Sequence, residues 1–355
     1  MAGNVCYSRG GVRLQLFITC FLFAVTSTAA PPKGAWTGTL GKQKVAACFD
    51  GSDATYYYVS KGVDIALTEG ADGIWTEVAW DKDFSPGPST GTWQLEEAQG
   101  KYLRGSWSSS DGRRTLPITL KLAGKPAADS KCPLPGYVAP RIDAVQRTPS
   151  KETSVSGLRL RMFKALHGAV VGLELLDDAA ALSPVKQALE AHNREMLEGY
   201  FECLSLPANH SSYSALLELA LASEHWLVLV ESESHDCGGP YPDWGIRAWT
   251  IDRASGKLVD IAKWLNSPLV QIARKYFRWT RPDYASAEDC AEAINKYEEF
   301  SVWPTAKGLV FNLRLPHAIA VCGQPYVVPY AKLKRHLTPA GKAAIDEISR
   351  SVARR

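Results

Sequence analysis

Net charge is nearly absent from this 355-residue chain: 40 Lys and Arg stand against 37 Asp and Glu. Such a balance leaves no electrostatic footprint for nucleic acid or an anionic membrane as partner. The motifs of common catalysts are missing too, with no GxSxG, HExxH, P-loop or GxGxxG. No CxxC and no Cys/His spacing typical of zinc occurs, so no metal and no cofactor is implied. Past the N-terminus, no apolar run approaches the roughly 20 residues that a spanning helix needs. A hydrophobic content of 46% with 28 Gly and 21 Pro excludes collagen, coiled coil and wholesale disorder, and the length allows two cores.

The first thirty residues read as a secretory signal. Arg9 and Arg13 form a basic start, Leu14 to Thr26 is an apolar run, and Thr28-Ala29-Ala30 offers small residues before Pro31-Pro32. The alternative is an uncleaved anchor. Without this segment the chain keeps 38 basic residues against 37 acidic ones. The expectation is an exported protein, periplasmic or secreted, with no membrane span after cleavage.

Cysteine usage agrees with export. Cys6 and Cys20 lie in the signal, leaving six: Cys48, Cys132, Cys203, Cys237, Cys290 and Cys322. An even count suits an oxidising compartment. Sequence does not choose among the fifteen possible connectivities. One candidate set joins Cys48 to Cys132, Cys203 to Cys290 and Cys237 to Cys322; buried free thiols are the alternative.

Residues 34–123 read as strand after strand. Gln43 to Phe49, Ala54 to Val59, Val63 to Leu67, Ile74 to Trp80, Gly91 to Leu95, Tyr102 to Trp107 and Thr115 to Leu122 are β-branched and aromatic runs. Turn residues such as Gly51-Ser52-Asp53 and Gly70-Ala71-Asp72-Gly73 separate them. Seven or eight such strands predict an antiparallel sandwich or barrel. Gly91-Thr92-Trp93 recurs as Gly105-Ser106-Trp107, which reads as core Trp packing or, alternatively, as an aromatic face for carbohydrate. This half also looks like a β-module of exported bacterial proteins, a resemblance that assigns no activity. Residues 124–157, with five prolines, read as a linker or extended wrap.

From residue 158 onward the pattern is α+β. Leu158 to Phe163, Ala169 to Leu176, Ser214 to Ala222, His225 to Glu233 and Gly245 to Asp252 read as strands, as do Gly308 to Leu313 and Tyr326 to Val328. Helices are expected from Ser183-Pro184, over Pro268 to Phe277, over Ser286 to Tyr297, and after Thr338-Pro339. Ser183-Pro184-Val185-Lys186 matches Ser-x-x-Lys, but its companion motifs are missing, so it reads as a helix start. Glu231, Glu233 and His235 share one strand face, as a solvated strand end or as an acid–base or metal cluster.

Cys237-Gly238-Gly239-Pro240-Tyr241-Pro242 precedes the strand Ile246 to Asp252 and the turn Ser255-Gly256-Lys257. Later come Gly308 to Asn312 and Pro325-Tyr326-Val327-Val328-Pro329-Tyr330. This order resembles the exported domain of RsiV-type anti-sigma factors, also found beside peptidoglycan deacetylases. The resemblance spans residues 158–355 and implies binding, with lysozyme as the ligand in that family. Tyr241 stands where the family has His, and no cytoplasmic sigma-binding segment is present. The expected partner-binding residues are Gly238, Gly239, Tyr241, Trp244, His317 and Tyr326, with none assigned to catalysis. A Gly-Gly turn stiffened by prolines presents its aromatics rigidly, and aromatics dominate interface hot spots; the alternative is a structural hairpin. The expected function is recognition of a protein partner in the cell envelope, such as a lysozyme-like enzyme or toxin. The alternative is an accessory protein or enzyme acting on peptidoglycan or another carbohydrate.

Overall fold

The computed structural model describes residues 33–51, 53–70, 73–78, 87–96, 98–124, 135–205, 211–238, 241–277 and 287–353. The signal expected at 1–30 lies outside them. None of the described helices is long and apolar enough to cross a membrane.

The N-terminal half is a closed antiparallel barrel rather than a sandwich. Its strands are β1 (Gly34–Leu40), β2 (Gln43–Asp50), β3 (Asp53–Tyr58), β4 (Ile65–Glu69), β5 (Ile74–Val78), β6 (Gly91–Leu95), β7 (Tyr102–Ser109) and β8 (Thr115–Gly124). Each pairs with its sequence neighbour, and β8 closes on β1, with Gly38 opposite Leu120. Eight strands give a bore that side chains can fill. Phe49, Tyr56, Trp75 and Trp93 fill it, none more than 2% exposed.

Inside this apolar filling sits one carboxylate. Glu77 is 3% exposed. Its Oε1 accepts from the Tyr56 hydroxyl at 2.5 Å, from Trp107 Nε1 at 2.7 Å and from Trp93 Nε1 at 3.3 Å. Its Oε2 accepts from Thr90 Oγ1 at 2.5 Å. The repeated Gly-x-Trp now has a cause. Trp93 and Trp107 are directly opposed across β6 and β7 and converge on Glu77. A Cβ at Gly91 would lie 2.4 Å from Trp107 Nε1, so only glycine leaves room for that indole. Trp93 is fully buried and Trp107 partly so, packed against the barrel core, as the core-packing reading expects.

The proline-rich stretch expected as a linker carries α1 (Pro135–Asp143) and all of β9 (Thr148–Val155). Pro135 stands at the first helical position, where a missing N–H costs nothing. Tyr137, Val138, Arg141 and Ile142 then fall on one face and are buried. They pack with Ala35, Ala46, Cys48 and Tyr57 of the barrel wall in a core shared with the second half. Arg141 is the hub of this joint. Its Nη1 donates to Asp64 at 2.8 Å and to the Gly62 carbonyl at 3.1 Å, and its guanidinium lies over Tyr57, Tyr137 and Phe201.

β10 (Leu158–Ala165), β11 (Val170–Leu175), α2 (Ser183–Ser205), β12 (Ser212–Ala222), β13 (Trp226–Asp236) and β14 (Asp243–Asp252) follow. With β9 they form a sheet of order β14-β13-β12-β11-β10-β9. Only β11 and β12 run parallel, and α2 is their crossover. α2 docks because Gly172 has no side chain: a Cβ there would meet Asn193 Oδ1 at 2.4 Å. Asn193 instead donates to the Leu173 carbonyl at 2.9 Å.

The chain ends with α3 (Leu269–Tyr276), α4 (Ala287–Lys296), β15 (Phe300–Pro304), β16 (Gly308–Leu313), β17 (Tyr326–Pro329), α5 (Tyr330–Leu333) and α6 (Pro339–Ala353). β15, β16 and β17 form a separate antiparallel sheet. Along β13 the two faces alternate. Leu227 and Leu229 join the core under α2, while Val228 joins a core with Trp264, Phe311 and Ile348. The six-stranded sheet is therefore covered on both sides, and the second half is α+β as expected.

Two disulfides differ from the candidate set. Cys203 bonds Cys237, and Cys290 bonds Cys322. The end of α2 and the end of β13 meet in space, which leaves Cys203 far closer to Cys237 than sequence spacing suggests. Cys48 is also disulfide-bonded; Cys132, its expected partner, lies outside the described residues.

Candidate functional site

β13 and β14 form a long hairpin whose tip holds residues 237–242. Gly238 takes φ 87°, the left-handed region that the double glycine implied. Gly239 and Pro240 lie outside the described residues. The Cys203–Cys237 bond fastens the base of this tip to α2. The expectation that Cys237 ties the loop to Cys322 is overturned: Cys322 instead anchors the turn after β16 to α4.

Tyr241 is 68% exposed and Trp244 is 37% exposed. Trp244 is the second residue of β14 and also lines a cleft of about 540 Å³ between this hairpin and the β16 region. Glu233, His235, Asp243 and Arg247 line one wall, and Glu299, Asn312 and Arg314 line the other. Tyr326 is not part of that lining. Its ring stacks on Phe311 and meets Phe277 edge-on, and its hydroxyl donates to the Ala273 carbonyl at 2.9 Å. Burial holds its phenol well above the ordinary range. In this structure its ring is engaged in packing, while part of it stays exposed. His317 begins the turn after β16, and its side chain lies outside the described set.

The strand face of Glu231, Glu233 and His235 is not a solvated end. Register places Arg247 of β14 directly opposite Glu231. Arg247 Nη2 donates to Glu231 at 2.6 Å and to Glu233 at 3.0 Å, and Nη1 donates to Glu195 of α2 at 3.0 Å. His235 Nδ1 is 3.1 Å from Glu233 Oε1. Glu231 is 1% exposed, and burial pushes its carboxyl upward while the hydrogen bond from Arg247 pulls it back down. One arginine thus gathers three carboxylates from two elements, β13 and α2. The network runs from the buried floor under α2 outward into the cleft. Sequence reasoning found the two glutamates and the histidine but missed Arg247 and Glu195. The hairpin register, once known, supplies Arg247; Glu195 needs the docking of α2.

His192 of α2 borders this network, its ring 4.3 Å from that of Trp249. Burial lowers its pKa below the ordinary 6.5, with Glu195 opposing and Arg247 adding to the shift. A depressed folded pKa gives stability that is complete above the unfolded value and is lost as pH falls toward the folded one. Stability contributed here is expected to decline below about pH 6.5 by at most ~1.4 kcal/mol per pH unit. Urea titrations of the parent and His192→Gln over that window check it. A parallel pH dependence in both proteins would remove His192 as the cause.

The geometry defines a class: a two-part β-rich protein with disulfides, a filled barrel, and a polar cleft beside an exposed aromatic hairpin. Disulfides fit an extracytoplasmic compartment. No family model matches the chain, and no curated protein matches it. Solved structures give faint likenesses, two DUF3298 proteins among them. A member of the DUF3298 family from Bacteroides fragilis is 9% identical with a TM-score of 0.36, covering 58% of this chain and 97% of that one. A DUF3298 family protein from Pseudomonas aeruginosa is 13% identical with a TM-score of 0.31, covering 55% of this chain and 94% of that one.

Proposed function

We propose that the chain is an exported cell-envelope binding protein, periplasmic or secreted, that grips a protein partner with the β13–β14 hairpin tip. One observation carries the reading. Tyr241 and Trp244 stand exposed on a hairpin braced by the Cys203–Cys237 bond, beside a cleft rich in charged groups. Rigid aromatic anchors bind with little loss of conformational freedom. Two of the cleft's acid groups are held by cations, Glu233 by Arg247 and Glu299 by Arg314, an arrangement suited to recognition. The resemblance to RsiV-type domains supports a lysozyme-like enzyme as the partner.

Calorimetric titration of the oxidised protein with lysozyme tests this. A saturable one-to-one complex is expected. Tyr241→Ala and Trp244→Ala should each weaken it by roughly 30-fold, the ~2 kcal/mol of a hot spot, without changing the fold. Absence of binding, or binding indifferent to both substitutions, would remove this surface and this partner. A second reading rests on the His235–Glu233 contact within the cleft, which has the form of an acid–base pair acting on peptidoglycan or another carbohydrate. Turnover of peptidoglycan that His235→Asn abolishes would favour it over the first.

A further inference from the structure

A second cleft lies where the barrel meets the sheet, between the β3–β4 turn, α1 and the β10–β11 turn. Its volume is about 660 Å³. Its lining holds Lys61, Arg141, Lys164 and His167, and no acidic side chain among the described residues. The contrast with the neighbouring groove over β10, β11 and α2 is informative. There each cation has a carboxylate: Arg147 with Glu190, Arg161 with Glu174, Lys186 with Asp178 and Arg194 with Asp143. Lys61 and Lys164 make no ion pair with any described residue, and both are exposed. Two unneutralised ammonium groups facing one concave space favour an anion there.

Two further observations point the same way. Arg141 is 2% exposed, and while Nη1 is satisfied by Asp64 and Gly62, its Nε is buried without a hydrogen-bond partner. A buried guanidinium donor left unpaired is costly, and an acceptor at the cleft floor would relieve it. The β10–β11 turn is also held in an unusual shape. Leu166, His167 and Gly168 take φ 52°, 58° and 90° in succession. For the two residues with side chains this costs about 1–2 kcal/mol each. His167 lines the cleft together with Lys61 of the barrel.

We propose that this cleft is a binding site for a multiply charged oxyanion, held by Lys61 and Lys164 across the joint with Arg141 at its floor. Such a ligand would bridge the barrel and the second half, since Lys61 belongs to the barrel and Lys164 to β10. Phosphate and polycarboxylate groups share the required chemistry, and the experiment separates them.

The oxidised protein is titrated calorimetrically at low ionic strength with inorganic phosphate and, separately, with citrate. Saturation near millimolar concentration by at least one anion is expected. The Lys61→Ala/Lys164→Ala double variant should lose roughly tenfold or more in affinity. Both side chains are exposed, so its circular dichroism should match the parent. Lys186→Ala, in the other groove, should bind as the parent does. Stronger phosphate binding assigns a phosphate ligand, and stronger citrate binding assigns a carboxylate one. No saturation with either anion, or equal binding by the double variant, overturns the proposal.

Discussion

Arg247→Met is expected to destabilise the protein by about 3 kcal/mol, because it strands a buried carboxylate. Glu231 is 1% exposed, and the only hydrogen bond to its carboxylate among the described residues is the one from Arg247; its second oxygen has no partner. The same guanidinium holds Glu233 and Glu195, so its loss leaves three carboxylates facing one another. Arg247 reaches solvent along one edge, which keeps the cost at the lower end of the range for broken buried pairs. The defect carries a pH signature. Burial already raises the Glu231 carboxyl, and without the arginine it rises further. A raised folded pKa gives stability that is complete below the unfolded value and is lost as pH rises through the folded one. The deficit of Arg247→Met should therefore shrink on acidification from pH 8 to about pH 5. The double variant Arg247→Met/Glu231→Leu should recover much of the loss, since apolar pairs of similar size replace buried ion pairs at little cost. Urea denaturation of the four proteins at both pH values forms the cycle. A single variant within about 0.5 kcal/mol of the parent would show that Arg247 is dispensable to Glu231.

How much of this was readable follows from the range over which each feature is determined. The barrel strands are local: β-branched and aromatic runs between turn residues located β2 to β8 to within a few residues. Closure is not local, because it depends on β8 finding β1, some eighty residues away. The sequence therefore left sandwich and barrel equally open. α1 was hidden by its own prolines, although Pro135 in the first turn and Tyr137, Val138, Arg141 and Ile142 at helical spacing were there to be read. The disulfides failed for the same reason as closure: the meeting of Cys203 with Cys237 is set by how α2 returns over the sheet. At the candidate site, the hairpin tip was legible as Gly-Gly followed by two prolines, and Tyr241 and Trp244 are exposed there. Tyr326 looked equivalent in sequence, yet tertiary packing spends it on Phe311 and Ala273. Glu77 went unmarked although the signal was present. Alternation along β5 puts Trp75 and Glu77 on the same inward face, and an acid at an inward strand position announces a buried partner set.

That carboxylate supports the other large expected effect. Glu77→Ala should cost about 4 kcal/mol, since it leaves Tyr56, Thr90, Trp93 and Trp107 without their acceptor and opens a void among aromatic rings. Glu77→Gln keeps the shape and one carbonyl oxygen, and should cost only about 1–2 kcal/mol. Both Trp indoles report the change directly, so thermal unfolding followed by Trp fluorescence should show the barrel melting early while far-UV circular dichroism holds the second half longer. If Glu77→Ala unfolds with the parent's midpoint, the four donors have other acceptors and the barrel interior is not organised around this group. The expected result has a functional meaning. A bore occupied by Trp75, Trp93, Tyr56 and a fully hydrogen-bonded carboxylate has no room for a lipid or sugar. The barrel then acts as a solid support. Its outer wall carries Lys61 and Asp64 to the joint, where Arg141 locks α1 and α2 in place. In the proposed reading, recognition falls to the surfaces that this support fixes: the hairpin with Tyr241 and Trp244, and the basic cleft at the joint itself.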